Sequence, residues 1–189
     1  MAGKLPRFLT LKEAKVVFQA SQDHKRDNMI LKCFFYLGLR NDELRRLQKD
    51  DIDLVNDMVK VVQGKGDKDR YVSIPSHLLD ELTEWLKHCD KNVFIGRGAM
   101  GLLNDRTLRR IVRKYAILAG LRKPEEVHVH TMRHSYATLL QNYGVPLNAI
   151  QETLGHKNME TTRIYLHLDI KRRAEMIQKA FDEAFKELQ

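Results

Sequence analysis

The sequence lacks several things that would have narrowed it to other classes. Two cysteines, Cys33 and Cys89, in 189 residues are too few for a disulfide framework. Cys33 sits in an apolar run with Leu31, Phe34 and Phe35 and reads as a buried thiol. No apolar run approaches the length that crosses a bilayer. Met1 to Arg7 has no apolar core of the kind a signal peptide needs. There is no internal repeat, low-complexity tract or Pro/Gly/Ser-rich linker. Cys-x-x-Cys pairs and the His-Glu-x-x-His spacing are missing as well, so the cluster of His128, His130 and His134, with His156 and His167 further on, has no metal-site pattern behind it. The expectation is a soluble intracellular protein with no membrane association and no metal.

What is present is a globular composition with excess positive charge. Hydrophobic residues make up 43% and charged residues 31%, which excludes a disordered chain. The formal charge is +8. Nearly all of it lies in Arg97 to Lys123, where eight basic residues face the single acid Asp105. Nucleic acid is therefore a natural partner.

The periodicities predict a mainly α fold with a small antiparallel β-sheet, an α+β class. Thr10-Leu11-Lys12-Glu13 matches the capping box and starts a helix. A second helix runs from Asp27 to Leu37 and stops at Gly38, and a short one runs from Asp42 towards Leu47. Met58 to Gln63 and Tyr71 to Ile74 read as the arms of a hairpin around the polar turn 64–70. Ser76 caps a helix reaching about Lys87, and Asn104 caps one ending before Gly120. Further helices are expected over Thr131 to Tyr143, Pro146 to Leu154 with the proline at its first position, Met159 to Leu166, and Ile170 to Leu188.

The helix after Asn104 carries Arg106, Arg109, Arg110 and Arg113 at i, i+3, i+4 and i+7, on one face. Leu108, Ile111, Val112, Tyr115 and Leu118 take the other. Such a stripe is either a solvated surface or a phosphate-contacting face.

Three blocks carry candidate site groups, of which the second, His130 with Arg133, suits a phosphoryl site. Leu37-Gly38-Leu39-Arg40-Asn41-Asp42-Glu43-Leu44 sets an arginine between two helices, where pairing with Glu43 is the plain structural reading. His130-Thr131-Met132-Arg133-His134 puts a proton carrier and a guanidinium fork on one side of a turn. Leu154-Gly155-His156 is followed nine residues later by Tyr165 within Thr161-Thr162-Arg163-Ile164-Tyr165.

In this order the blocks resemble the catalytic domain of the tyrosine recombinases, the phage integrase or Xer-type family. Gly64-Lys65-Gly66-x-Lys68-x-Arg70 resembles the family's hairpin lysine turn. The resemblance runs from Phe8 to about Leu168. It implies site-specific DNA breakage and rejoining through a 3′-phosphotyrosine with no cofactor. It implies a catalytic set of Arg40, Lys65, His130, Arg133, His156 and the nucleophile Tyr165. Lys68 and Arg70 are expected on backbone phosphates beside Arg106, Arg109, Arg110 and Arg113. Lys68 is also the rival of Lys65 for the lysine role.

The implied partners are double-stranded DNA and, on synapsed DNA, a homo-tetramer that can be monomeric when free. The implied location is cytoplasmic and nucleoid-associated. The division expected is a tail or linker remnant over 1–9, a catalytic domain over 10–169, and a C-terminal helix over 170–189. The stripe Ile177, Phe181, Ala184, Phe185 and Leu188 on that helix can pack on its own chain or, as the resemblance implies, be exchanged between protomers. The N-terminal helical domain that family members carry is expected to be absent. Two other functions compete: a type IB topoisomerase-like relaxation of DNA, and a DNA-binding regulator on the same fold without catalysis.

Overall fold

The computed structural model describes residues 7–62, 69–96, 101–155 and 170–187. Eight α-helices and three β-strands are found among them. The chain divides into two compact units, each assembled from two chain segments. Met1–Arg46 with Phe94–Thr138 forms the first, and Leu47–Val93 with Leu139–Gln189 the second. The sequence reading expected one catalytic domain and a terminal helix. The chain passes between units after Arg46, Val93 and Thr138; glycines cluster only near the second passage, at Gly96, Gly98 and Gly101, so composition gives little sign of the division.

The first unit is helical. Helix α1 (Leu11–Ser21) begins at the expected capping box: the Glu13 N–H donates to Thr10 Oγ1 and the Thr10 N–H donates to the Glu13 carboxylate. Helix α2 (Lys25–Leu37) is apolar nearly all round after its first turn and forms the centre of the unit. Ile30, Leu31, Cys33, Phe34 and Phe35 are fully buried. Phe18 of α1 packs its ring against Phe35 and Tyr36. Burial also pushes the Cys33 thiol up to about 12, so it is an inert core group. Gly38 closes α2 in the left-handed conformation, φ 58°, which glycine adopts without strain.

The short helix α3 (Asn41–Arg46) follows. Helix α5 (Asp105–Leu118) is capped by Asn104, whose side chain accepts from the Arg106 N–H, and it packs on α1, α2 and α3. Leu108, Ile111, Val112 and Tyr115 are buried as expected. Leu118 is 60% exposed, because it lies in the last turn, where the buried stripe has ended at Ala116. Helix α6 (Val129–Asn142) belongs to this unit through Thr138.

The second unit holds the sheet, in the order β1-β2-β3 and antiparallel throughout. Strands β2 (Met58–Val61) and β3 (Arg70–Ser73) are the expected hairpin arms, with Val59 opposite Val72 and Val61 opposite Arg70. Period-two alternation buries Val59, Val61 and Val72 while Tyr71 stays exposed. Strand β1 (Ile52–Asp53) was not expected; at two residues it is too short to show any alternation.

Helix α4 (Ser76–Leu86) buries Leu78, Leu82 and Leu86. Its N-cap is Pro75, not Ser76. Likewise Pro146 caps helix α7 (Leu147–Leu154) from just outside, and Gly155 ends it at φ 67°. Proline fixes φ but the cap position asks for extended ψ, which both prolines adopt.

Helix α8 (Ile170–Lys186) packs on β3 of its own chain and buries Ile177, Ala180, Phe181 and Ala184. Polar ties help to hold it, among them the Ser76 N–H donating to Gln178 Oε1, Arg173 to Glu152, and the Tyr143 hydroxyl to Glu187. Phe185, half-buried, stacks on His77 at 4.0 Å. Leu188 and the helix expected over 159–166 lie outside the described residues. Among the described residues no helix is long and apolar enough to cross a membrane.

Candidate active site

Arg40 owes its place to its neighbours. Leu37 and Leu39 are buried on either side of Gly38, which turns the chain sharply and leaves Arg40 partly exposed at the entrance of α3. Glu43, three residues on, folds back over this entrance. One carboxylate oxygen accepts the Arg40 N–H at 2.6 Å, the other accepts from the Arg40 guanidinium at 2.8 Å. A carboxylate at a helix N-terminus meets unpaired N–H groups and the positive end of the helix dipole. The Arg40–Glu43 pair is the one that the spacing suggested.

Arg133 reaches the same carboxylate from α6. Its guanidinium donates to the Gly38 carbonyl at 2.7 Å and lies 3.8 Å from Glu43 Oε2. Its side chain is 11% exposed and that of Glu43 is 9% exposed. Two arginines therefore converge on one partly buried carboxylate, with Arg40 the more exposed of the two. Such an arrangement suits an anion with several oxygens. The contribution of the Gly38 carbonyl was not readable in advance, since nothing in a sequence shows that an arginine 95 residues away will take a given carbonyl.

His130 lies in the first turn of α6 and is exposed, three residues before Arg133. His128 and His134 are exposed too. The His128 N–H donates to Thr131 Oγ1, which fixes the start of the helix. Among the described residues no group of three or more His, Cys, Asp or Glu side chains is placed to hold a metal ion. Lys65, Lys68, His156 and Tyr165 lie outside the described residues.

The basic stripe of α5 is displayed largely as its periodicity predicts. Arg106, Arg109 and Arg110 are exposed and Arg113 is half-buried. Arg109 is not an open cation: it pairs with Asp105 at 2.8 Å. This exposed pair is worth less than about 1 kcal/mol, so a phosphate could displace the carboxylate. Asp105 also accepts from the side-chain amide of Asn41, next to Arg40. Arg45 donates to the Leu103 carbonyl at 2.6 Å.

Arg70 departs from the expectation of a phosphate contact. It is 8% exposed, and its Nε donates to the Thr153 carbonyl at 2.6 Å, which ties β3 to α7. Its side chain projects from the buried side of the strand, as those of Val59, Val61 and Val72 do, because its register partner is Val61.

A helical fold with a small antiparallel sheet is that of tyrosine recombinase catalytic domains. The profile of the phage integrase family matches residues 7–172, and the chain belongs to that family. A tyrosine recombinase of Pseudothermotoga lettingae is 34% identical over 184 residues, covering 95% of this chain and 63% of its own length. Tyrosine recombinase XerA of Thermococcus kodakarensis is 37% identical over 186 residues, covering 95% and 63%. The chain thus spans somewhat under two thirds of these relatives. The crystal structure of XerA recombinase superposes with a TM-score of 0.75 at 28% identity, covering 99% of this chain and 66% of that one. XerH site-specific recombinase bound to its difH substrate, in a pre-cleavage complex, superposes with a TM-score of 0.70 at 30% identity, covering 93% and 54%.

Proposed function

We propose that this chain is the catalytic portion of a site-specific DNA recombinase that breaks and rejoins strands through a 3′-phosphotyrosine. The observation that carries the reading is the convergence of Arg40 and Arg133 on Glu43, inside a chain whose remaining blocks follow the family order. The Tyr165 oxygen attacks the scissile phosphorus, an O–P bond forms, and the bond to the 5′-oxygen breaks. Arg40 and Arg133, joined by His156, hold the non-bridging oxygens as negative charge builds on them. Lys65 gives its proton to the departing 5′-oxygen. His130 assists removal of the phenol proton, which in model peptides leaves only near pH ~10. A 5′-hydroxyl from the partner duplex then reverses the steps, and the ester bond energy is conserved.

The partner in this reading is double-stranded DNA, met by Arg106, Arg109, Arg110 and Arg113, with Lys68 on the backbone phosphates. The active assembly is a homo-tetramer on two synapsed duplexes, formed from monomers, in the nucleoid of the cytoplasm. The solved XerH complex with its DNA substrate supports this reading.

The test is a nicked suicide duplex carrying a candidate site, scored for a covalent protein–DNA adduct on a denaturing gel. An adduct with the wild type that disappears in Arg133→Ala, with DNA still bound, is the expected result. No adduct across a randomised duplex library would leave a DNA-binding regulator instead. Relaxation of supercoiled DNA that carries no site would place the protein with the type IB topoisomerases.

A further inference from the structure

The chain enters α1 through Arg7–Thr10, and this entry is fastened at an unexpected place. Leu9 is buried, and its N–H donates to Ser135 Oγ at 2.7 Å. Ser135 is 1% exposed and sits on α6, two residues beyond Arg133. Its hydroxyl donates in turn to the Thr131 carbonyl at 2.7 Å. A serine hydroxyl has one proton to give. With that proton on Thr131, a lone pair faces Leu9, and the hydroxyl has a single useful orientation.

Thr131 does the same one turn earlier. Its buried hydroxyl accepts the His128 N–H at 3.0 Å and donates to the Glu126 carbonyl at 3.1 Å. Thr131 and Ser135 are four residues apart and share the rear face of α6, nearly opposite His130 and Arg133. Serine hydroxyls that back-bond to the carbonyl four residues earlier often bend a helix. The back-bonded turn, residues 131–135, is the one from which Arg133 reaches Gly38 and Glu43.

We propose that Ser135 is a positioning residue that ties the segment leading into α1 to the helical turn carrying His130 and Arg133. A displacement of Leu9 is passed through one buried hydroxyl to the placement of the Arg133 guanidinium. The catalytic consequence rests on the proposed function; the mechanical tie does not.

The test uses the full chain with two separate changes. Ser135→Ala removes the hydroxyl. Replacing the Phe8–Leu9 amide by an ester exchanges the N–H for an oxygen, weakens the Phe8 carbonyl as an acceptor, and leaves α6 chemically untouched. Backbone hydrogen exchange is followed at residues 9 and 129–134, and single-turnover cleavage is measured beside DNA affinity. Both variants should lose protection at residues 129–134 (Ser135→Ala at Leu9 as well). Cleavage should slow by roughly tenfold with unchanged DNA affinity, as expected when a reacting group is held slightly off its geometry. Unchanged exchange at 129–134 in the Leu9 ester would overturn the proposal, whatever the activity. Loss of protection there with cleavage unchanged would overturn the positioning role. A wild type that does not cleave would refute the proposed function, and the exchange measurement would still decide the tie.

Discussion

Glu43→Gln is the substitution that most sharply probes the arginine pair. It keeps the shape and removes the charge. Glu43 now offers two oxygens, one to the Arg40 N–H at 2.6 Å and one to its guanidinium at 2.8 Å. An amide has one oxygen, so in either orientation one donor faces an NH₂. That costs one charge-assisted hydrogen bond, about 1.5–3 kcal/mol. Arg133, 3.8 Å away, loses a gross attraction of about 4 kcal/mol at an effective dielectric of about 20. Most of that is offset by desolvation no longer borne by the carboxylate, and Arg133 keeps the Gly38 carbonyl. The net expectation is a loss of about 2–3 kcal/mol in urea unfolding followed by circular dichroism. Glu43→Ala with Arg40→Ala and their double mutant should show a coupling of 0.5 kcal/mol or more, the range found for residues in contact. A Glu43→Gln variant within about 0.5 kcal/mol of wild type would refute the reasoning, since that is what an ordinary surface substitution does.

Arg110→Ala should weaken DNA binding uniformly across sequences and reduce the slope of log K against log salt by about 1, measured by fluorescence anisotropy. Phe181→Ala, on the buried face of α8, should cost about 3–5 kcal/mol in chemical unfolding, through lost contacts and the cavity left behind. Burial and the neighbouring Glu187 and Glu183 push the Tyr143 hydroxyl up to about 12. Its hydrogen bond to Glu187 therefore supports α8 below pH ~10 and is lost as pH rises from there towards 12, so Tyr143→Phe should flatten the alkaline loss of stability in thermal melts.

Helices were legible wherever a cap and a clean stripe coincide. Thr10 with Glu13, and Asn104 before the α5 stripe, set both starts correctly because local hydrogen bonds decide them. The hairpin arms were legible from β-branched runs, whereas β1 is too short to leave a pattern. The basic stripe was legible as a stripe, while the partners of its individual charges were not named. Asp105 neutralises Arg109 locally, and Arg70 is drawn inward by the strand register. The first is a plain i,i+4 step on the helix and was open to reading from spacing; the second depends on which face of the strand the rest of the fold covers. The Arg40–Glu43 pair was visible as a three-residue step. Its sharing with Arg133, and the tie from Leu9 to Ser135, are long-range and left no local trace.

The central claim is that Tyr165 forms the covalent link to DNA, and peptide mapping of the adduct tests it most directly. Trypsin cleaves after Arg163 and Lys171, which isolates Ile164 to Lys171 with Tyr165 as its one tyrosine. After nuclease digestion of a trapped adduct, this peptide should carry the added mass of a 3′-phosphonucleotide in mass spectrometry. The same peptide should be unmodified in Tyr165→Phe, with no adduct elsewhere. An adduct on any other peptide, or one that survives Tyr165→Phe, would contradict the account.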